Sequence, residues 1–360
     1  MKFGIGRFST VVMVAALAVT LGCGGSSKPS TSPTPGVSGV HSAYVANSAS
    51  ASISEYAVDD KGVLHEITGS PFTVSGNPTK LVMTPDGNFL YATDTAKNMI
   101  YEMSINSTTG VLTSIGSQAS GTTPSAVAID PKGKFLYVGN SGSNSFSVYA
   151  IGSDGKLTET AFSPVTVNGP VEGVNISPKG TYLFASVPST SSIYEYTLDA
   201  TTGTPTISSG SPMTVGTAPR FVAVSPNETF AIVLESGGTV NRLDIGSGGT
   251  LTLAANSPFT AGATPIQAIV DSTNSYVYVL SGTADAVVTI GFQTTGVPYQ
   301  VGTVGVGKLP SQMAISGTYL YVANSSDNTV TEFSQSAGVA TALSPTTVTT
   351  GTTPTSIAVR

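Results

Sequence analysis

PSAVAIDPKGKFLYVGNSGSNSFSVYAI, residues 124–151, decides the fold. In PSAVAID, Val127 and Ile129 alternate with Ala126 and Ala128, the period-two pattern of a strand with two unlike faces. Pro131-Lys132-Gly133 supplies a hairpin turn, the proline presetting φ and the glycine accepting a positive one. KFLYVGN mixes aromatic and aliphatic residues, as a strand covered on both sides does. SGSNSFSVYAI reads as a third strand. After the turn Gly152-Ser153-Asp154-Gly155, a fourth follows in KLTETAFSPVTV. Four antiparallel strands in roughly 45 residues is the period of a β-propeller blade.

The phrase recurs along the chain. Its opening proline falls at Pro78, Pro124, Pro170, Pro219, Pro265, Pro310 and Pro354, with spacings of 46, 46, 49, 46, 45 and 44 residues. The turn-and-strand words stay readable as TPDGNFLYATD, SPKGTYLFASV, SPNETFAIVLE, DSTNSYVYVLS and SGTYLYVANS. The last copy, TTPTSIAVR, stops after one strand, whereas SAYVANSASASISEYAVDDKG near the start lacks a first strand. The two fragments complete each other. The expected fold is therefore all-β: one seven-bladed β-propeller over 41–360, four antiparallel strands per blade. Blades are expected near 77–121, 122–168, 169–216, 217–262, 263–307 and 308–351, with a shared one from 352–360 and 41–76. Strand 354–360 should lie beside 43–47, closing the ring and removing two exposed sheet edges.

Composition agrees. Charged residues are 9%, Trp is absent and apolar residues reach 40%, ample for a core. Residues 1–22 read as a signal peptide: Lys2 and Arg7 precede an apolar run, Val11 to Leu21, too short for a comfortable bilayer span. Thr20-Leu21-Gly22-Cys23 resembles a lipobox, with Thr20 where leucine is usual. Cys23 is the only cysteine, and lipidation would consume a thiol that is otherwise out of place in an exported protein. Residues 23–40 then form a lipidated cysteine and a Ser/Pro/Gly-rich tether. Cleavage would lower the 14 basic residues to 12 against 20 acidic ones, a formal charge of −8. That balance argues against nucleic acid, and it limits membrane contact to the anchor. The expected location is the outer membrane or cell surface of a bacterium, with a monomeric body.

YVGNSGSNSFSVYAI and YVANSSDNTVTEFS resemble YVTN-type repeats. Together with the turn and FLYV words, they resemble the seven-bladed lactonase family, which includes 6-phosphogluconolactonase-like proteins. The resemblance spans about 41–360. It implies a lactonase, with histidine in a first-strand phrase of the form P-H-x-H. Here the corresponding text is Pro124-Ser125-Ala126-Val127 or Pro310-Ser311-Gln312-Met313, without histidine.

The residues themselves carry little recognisable catalytic chemistry. His41 and His65 are the only histidines and read as surface residues, so a Ser-His-Asp arrangement is not indicated. Metal-ligand spacings and a phosphate-cradling glycine loop are missing, and no cofactor is expected. What remains is geometric. The start of each first strand should face the channel mouth, bringing Lys80, Glu172, Arg220, Gln267 and Gln312 around one opening as candidate binding residues. An Arg–Glu pair near a lysine could hold an anionic or hydroxylated ligand, or polarise a lactone carbonyl. Rim loops add Asp94, Lys97, Glu235, Asp285 and Asp327. The leading expectation is a lipid-anchored, non-catalytic scaffold whose rim binds an envelope protein or glycan. The alternative is a lactonase-like hydrolase acting on a small sugar lactone at the mouth.

Overall fold

The computed structural model describes residues 41–360 together with Met1. The segments read as signal peptide and tether, and Cys23 between them, lie outside the described residues. Within 41–360 the chain forms seven antiparallel sheets. In the sheet of the opening phrase the strands are Pro124–Ile129, Phe135–Asn140, Ser145–Ile151 and Leu157–Glu159, running from inner to outer. Each inner strand lies against the inner strands of its two neighbouring blades, which arranges the sheets in a ring about a channel. In four blades the outermost strand is interrupted. Leu157–Glu159 and Val165–Thr166, for example, both pair with the third strand. Pro164 sits in the gap, and without an N–H it cannot extend the ladder.

The ring closes through both chain ends. Pro354–Val359 is the inner strand beside Ser42–Asn47, with Ala43 opposite Val359 and Val45 opposite Ile357. The last residue is tied twice: the Arg360 amide donates to the Ser42 carbonyl at 3.0 Å, and His41 Nδ1 bonds the Arg360 carbonyl at 3.1 Å. Every blade thereby has an inner strand, as the sequence leads one to expect.

Blades are locked to one another by a repeated clasp. Tyr44, Tyr91, Tyr137 and Tyr321 each sit on a second strand and are fully buried. Each hydroxyl donates to the carbonyl of a glycine in the next blade's outer hairpin: Gly110 at 2.6 Å, Gly155 at 2.7 Å, Gly203 at 2.9 Å and Gly62 at 2.8 Å. Glycine is needed there for two reasons. At Gly203 φ is +71°, where a side chain is strained. A Cβ would also meet the ring of Phe135 at 2.6 Å. Phe135 precedes Tyr137 by two residues, so one strand face supplies both the lid over the glycine and its hydrogen-bond donor.

Tyr137→Phe keeps the ring but strands the buried Gly203 carbonyl, which should cost about 1–3 kcal/mol. Denaturant unfolding checks this, with the half-exposed Tyr299 as reference. Tyr299→Phe should change stability by less than ~0.5 kcal/mol.

Candidate functional site

The channel mouth is built from the first residues of the inner strands. Glu172 precedes the strand Gly173–Ile176, and Arg220 lies in Pro219–Val224 of the next blade. Gly173 allows the close approach, because a Cβ there would lie 2.6 Å from the Arg220 carbonyl oxygen. That carbonyl accepts the Ser186 hydroxyl at 2.9 Å. The Arg220 side chain then reaches Glu172, with Nε 3.7 Å from Oε2; the two side chains are 57% and 39% exposed. At that exposure the pair adds little stability, and both groups remain accessible to a ligand.

The other candidates divide. Lys80 opens the inner strand Lys80–Met83 two blades before Glu172. It is half-buried, and among the described residues nothing hydrogen-bonds or ion-pairs with its ammonium. Burial pushes that ammonium below the usual lysine range. It thus joins the channel but not the Arg220–Glu172 pair. Gln267 and Gln312 are not free for ligand. Gln267 Oε1 accepts the Met313 N–H of the next blade at 2.6 Å. Gln312 Oε1 accepts the Ile357 N–H at 3.1 Å and the Ser356 hydroxyl, while Ser356 Oγ accepts the Leu81 N–H at 2.8 Å. Both glutamines stitch inner strands together.

The rim acids are likewise engaged. Asp94 accepts the N–H groups of Asn77, Ala96 and Lys97 at 2.8–3.0 Å. Glu235 takes Thr217 N–H at 2.9 Å and Thr239 Oγ1 at 2.6 Å. Asp285 pairs with Lys308 at 2.8 Å, and Asp327 accepts the Lys308 N–H at 2.7 Å. Lys97 Nζ donates to the Ser75 carbonyl. Away from the mouth, His65 pairs with Asp59 at 3.0 Å on the exposed outer edge. Among the described residues, no three His, Cys, Asp or Glu side chains gather as a metal site would require.

The profile of the family described as "Lactonase, 7-bladed beta-propeller" matches residues 41–355. The chain belongs to this lactonase family. A 6-phosphogluconolactonase of Sodalis glossinidius is 30% identical over 115 residues, 30% of this chain and 35% of that protein. The chain spans about a third or less of the length of the curated relatives it matches. Two solved structures share the fold. A 6-phosphogluconolactonase candidate from Bacteroides fragilis is 20% identical, with 92% of this chain and all of that one covered and a TM-score of 0.77. The periplasmic gluconolactonase of Pseudomonas aeruginosa is 22% identical, covering 89% and 99%, with a TM-score of 0.71. These findings overturn the leading expectation of a non-catalytic scaffold, and they favour the lactonase alternative. A first strand without histidine does not exclude hydrolysis, since a carboxylate can also take a proton from water.

Sequence reasoning missed a set of buried carboxylates. Glu55, Glu102, Glu195 and Glu332 stand mid-way along third strands and are 2%, 3%, 2% and 0% exposed. Glu55, Glu102 and Glu332 accept the N–H of a leucine opening the next blade's outer strand: Leu112 at 2.6 Å, Leu157 at 2.9 Å and Leu64 at 3.4 Å. The signal was present: ISEYA, IYEMS, IYEYT and VTEFS repeat one glutamate amid apolar neighbours. Burial raises all four pKa values, Glu195 to about 7 and Glu332 to about 8.

Because the folded values lie above the unfolded one, the acid forms stabilise the fold. Their contribution is complete below the unfolded carboxyl pKa of about 4.5 and is lost as pH rises through the folded values. Thermal unfolding should show stability falling between about pH 5 and about pH 8. Glu332→Gln should flatten that fall, gaining ~1–3 kcal/mol over wild type at the alkaline end.

Proposed function

We propose that this propeller hydrolyses a small sugar lactone at the channel mouth, with Glu172 as general base and Arg220 as the group that binds the carbonyl oxygen. The observation that carries the reading is the accessible Arg220–Glu172 pair at the mouth of a lactonase-family ring. Water is the nucleophile. Its oxygen bonds to the lactone carbonyl carbon while the Glu172 carboxylate takes its proton. The carbonyl oxygen gains charge as the tetrahedral intermediate forms, and the guanidinium offsets that charge. The intermediate then collapses, the ring C–O bond breaks, and the proton returns from Glu172 to the departing alkoxide. The product is the open-chain hydroxy acid.

The names of the relatives support a sugar lactone as substrate class. Lipidation at Cys23 would place the reaction outside the cytoplasm, on lactones reaching the envelope.

Glu172→Gln should lower kcat/KM for glucono-δ-lactone by about 100-fold or more, measured above spontaneous hydrolysis. The melting curve should stay within ~0.5 kcal/mol of wild type, since the pair is exposed. Undiminished hydrolysis by Glu172→Gln, or none by the wild type on a panel of sugar lactones, would refute the assignment.

A further inference from the structure

Three inner strands are tied to the next blade by one repeated contact. Gln267 Oε1 accepts the Met313 N–H at 2.6 Å, Gln312 Oε1 the Ile357 N–H at 3.1 Å, and Ser356 Oγ the Leu81 N–H at 2.8 Å. The acceptors share one register position, opposite Leu280, Ala323 and Ala46 of their second strands. The donors share the position one residue further along, opposite Val322, Val45 and Ala92. An inner-strand N–H on the channel side has no ladder partner, so a side chain of the preceding blade supplies the acceptor.

Lys80 holds the acceptor's position in its own blade, opposite Thr93. Val127, opposite Val138, holds the donor's position in the blade that follows. The Asp130 N–H bonds the Phe135 carbonyl at 3.0 Å across the ladder. Because alternate residues of an antiparallel strand face the partner, the Val127 N–H, three residues earlier, points into the channel. The register thus sets an ammonium beside a backbone N–H, two donors where the three other interfaces have a donor and an acceptor. Neither group has an acceptor among the described residues. Asp94, the acid nearest in sequence, is committed to three backbone N–H groups and the Tyr101 hydroxyl.

We infer that Lys80 Nζ and the Val127 N–H form a site for a small oxyanion, a carboxylate or a phosphate, within the channel. One charged oxygen can accept from both donors and supply the counter-charge that the ammonium lacks, whereas water supplies only the acceptor. Leu81, the residue after Lys80, lines a cavity of about 360 Å³, within the range of small-ligand sites (~300–1,000 Å³). No Asp or Glu side chain lines that cavity to repel an anion. The site uses neither Glu172 nor Arg220, and it stands whether or not the mouth hydrolyses lactones.

Calorimetric titration of the intact protein with sodium gluconate and with inorganic phosphate, at ionic strength held constant by sodium chloride, tests the site. The anion that binds more tightly identifies the oxyanion as carboxylate or phosphate. Lys80→Gln and Lys80→Met should each weaken binding at least about tenfold, through loss of a charge-assisted hydrogen bond. The exposed Lys61 serves as control, and Lys61→Gln should leave binding unchanged. Without ligand, Lys80→Gln should melt above Lys80→Met, because only the glutamine can accept the Val127 N–H as Gln267 accepts that of Met313. Wild-type protein that binds neither anion at about 10 mM, or Lys80 variants that bind as tightly as wild type, would overturn the site. Equal melting of the two Lys80 variants would overturn the part given to Val127.

Discussion

The hydrogen bond from a second-strand tyrosine to the glycine carbonyl of the next blade's hairpin is the contact on which the ring depends. Within a blade, strands satisfy one another along the ladder. Between blades there is no ladder, only packed faces and separate side-chain hydrogen bonds, and apolar packing alone does not fix an angle or a height. The tyrosine clasp fixes both. Tyr137 reaches Gly203 only if Phe135 is seated on that glycine, so depth and register are set together. Where the second strand lacks the hydroxyl, as at Phe184 and Ile232, the interface is carried by apolar clusters instead. A ring has no free end at which an error in angle can be relieved, so each clasp constrains all seven blades.

The site follows from the same constraint by subtraction. Inner strands are joined at the mouth by side chains: Ser125 donates to the Val171 carbonyl at 2.6 Å, Ser311 to the Pro354 carbonyl at 2.8 Å, and the two glutamines accept N–H groups across blades. Most of the polar residues at the opening are spent on holding the ring. Glu172, Arg220 and Lys80 are what is left. The first two satisfy each other loosely at 3.7 Å, and Lys80 has no hydrogen-bond or ion-pair partner among the described residues. A site assembled from such residues is rigidly placed without being saturated, which is the condition for binding and chemistry.

The repeat made the fold legible. Seven prolines at near-equal spacing and two complementary end fragments suffice to derive blade number and closure, because strand period and turn chemistry are local properties. The Arg220–Glu172 pairing was also within reach, since both fall at the start of consecutive first strands. What could not be read are the contacts that side chains make with the backbone of the next blade. Gln267 and Gln312 look like free hydrogen-bonding groups in sequence, because nothing local shows that a backbone N–H of the next blade lies 2.6–3.1 Å away. The third-strand glutamates look like solvated positions for the same reason, although their repetition at one register marked them. A first strand without histidine lacks only one kind of base.

Closure is the claim on which the rest stands, and deletion of residues 354–360 tests it most directly. Without that strand Ser42–Asn47 becomes an open edge, Gln312 loses its Ile357 and Ser356 partners, and Leu81 N–H loses the Ser356 acceptor. The account predicts that equilibrium unfolding of the truncated protein shows a loss of several kcal/mol, comparable with the ~5–15 kcal/mol that stabilises a typical domain. A truncated protein that unfolds cooperatively at nearly the wild-type midpoint would contradict it.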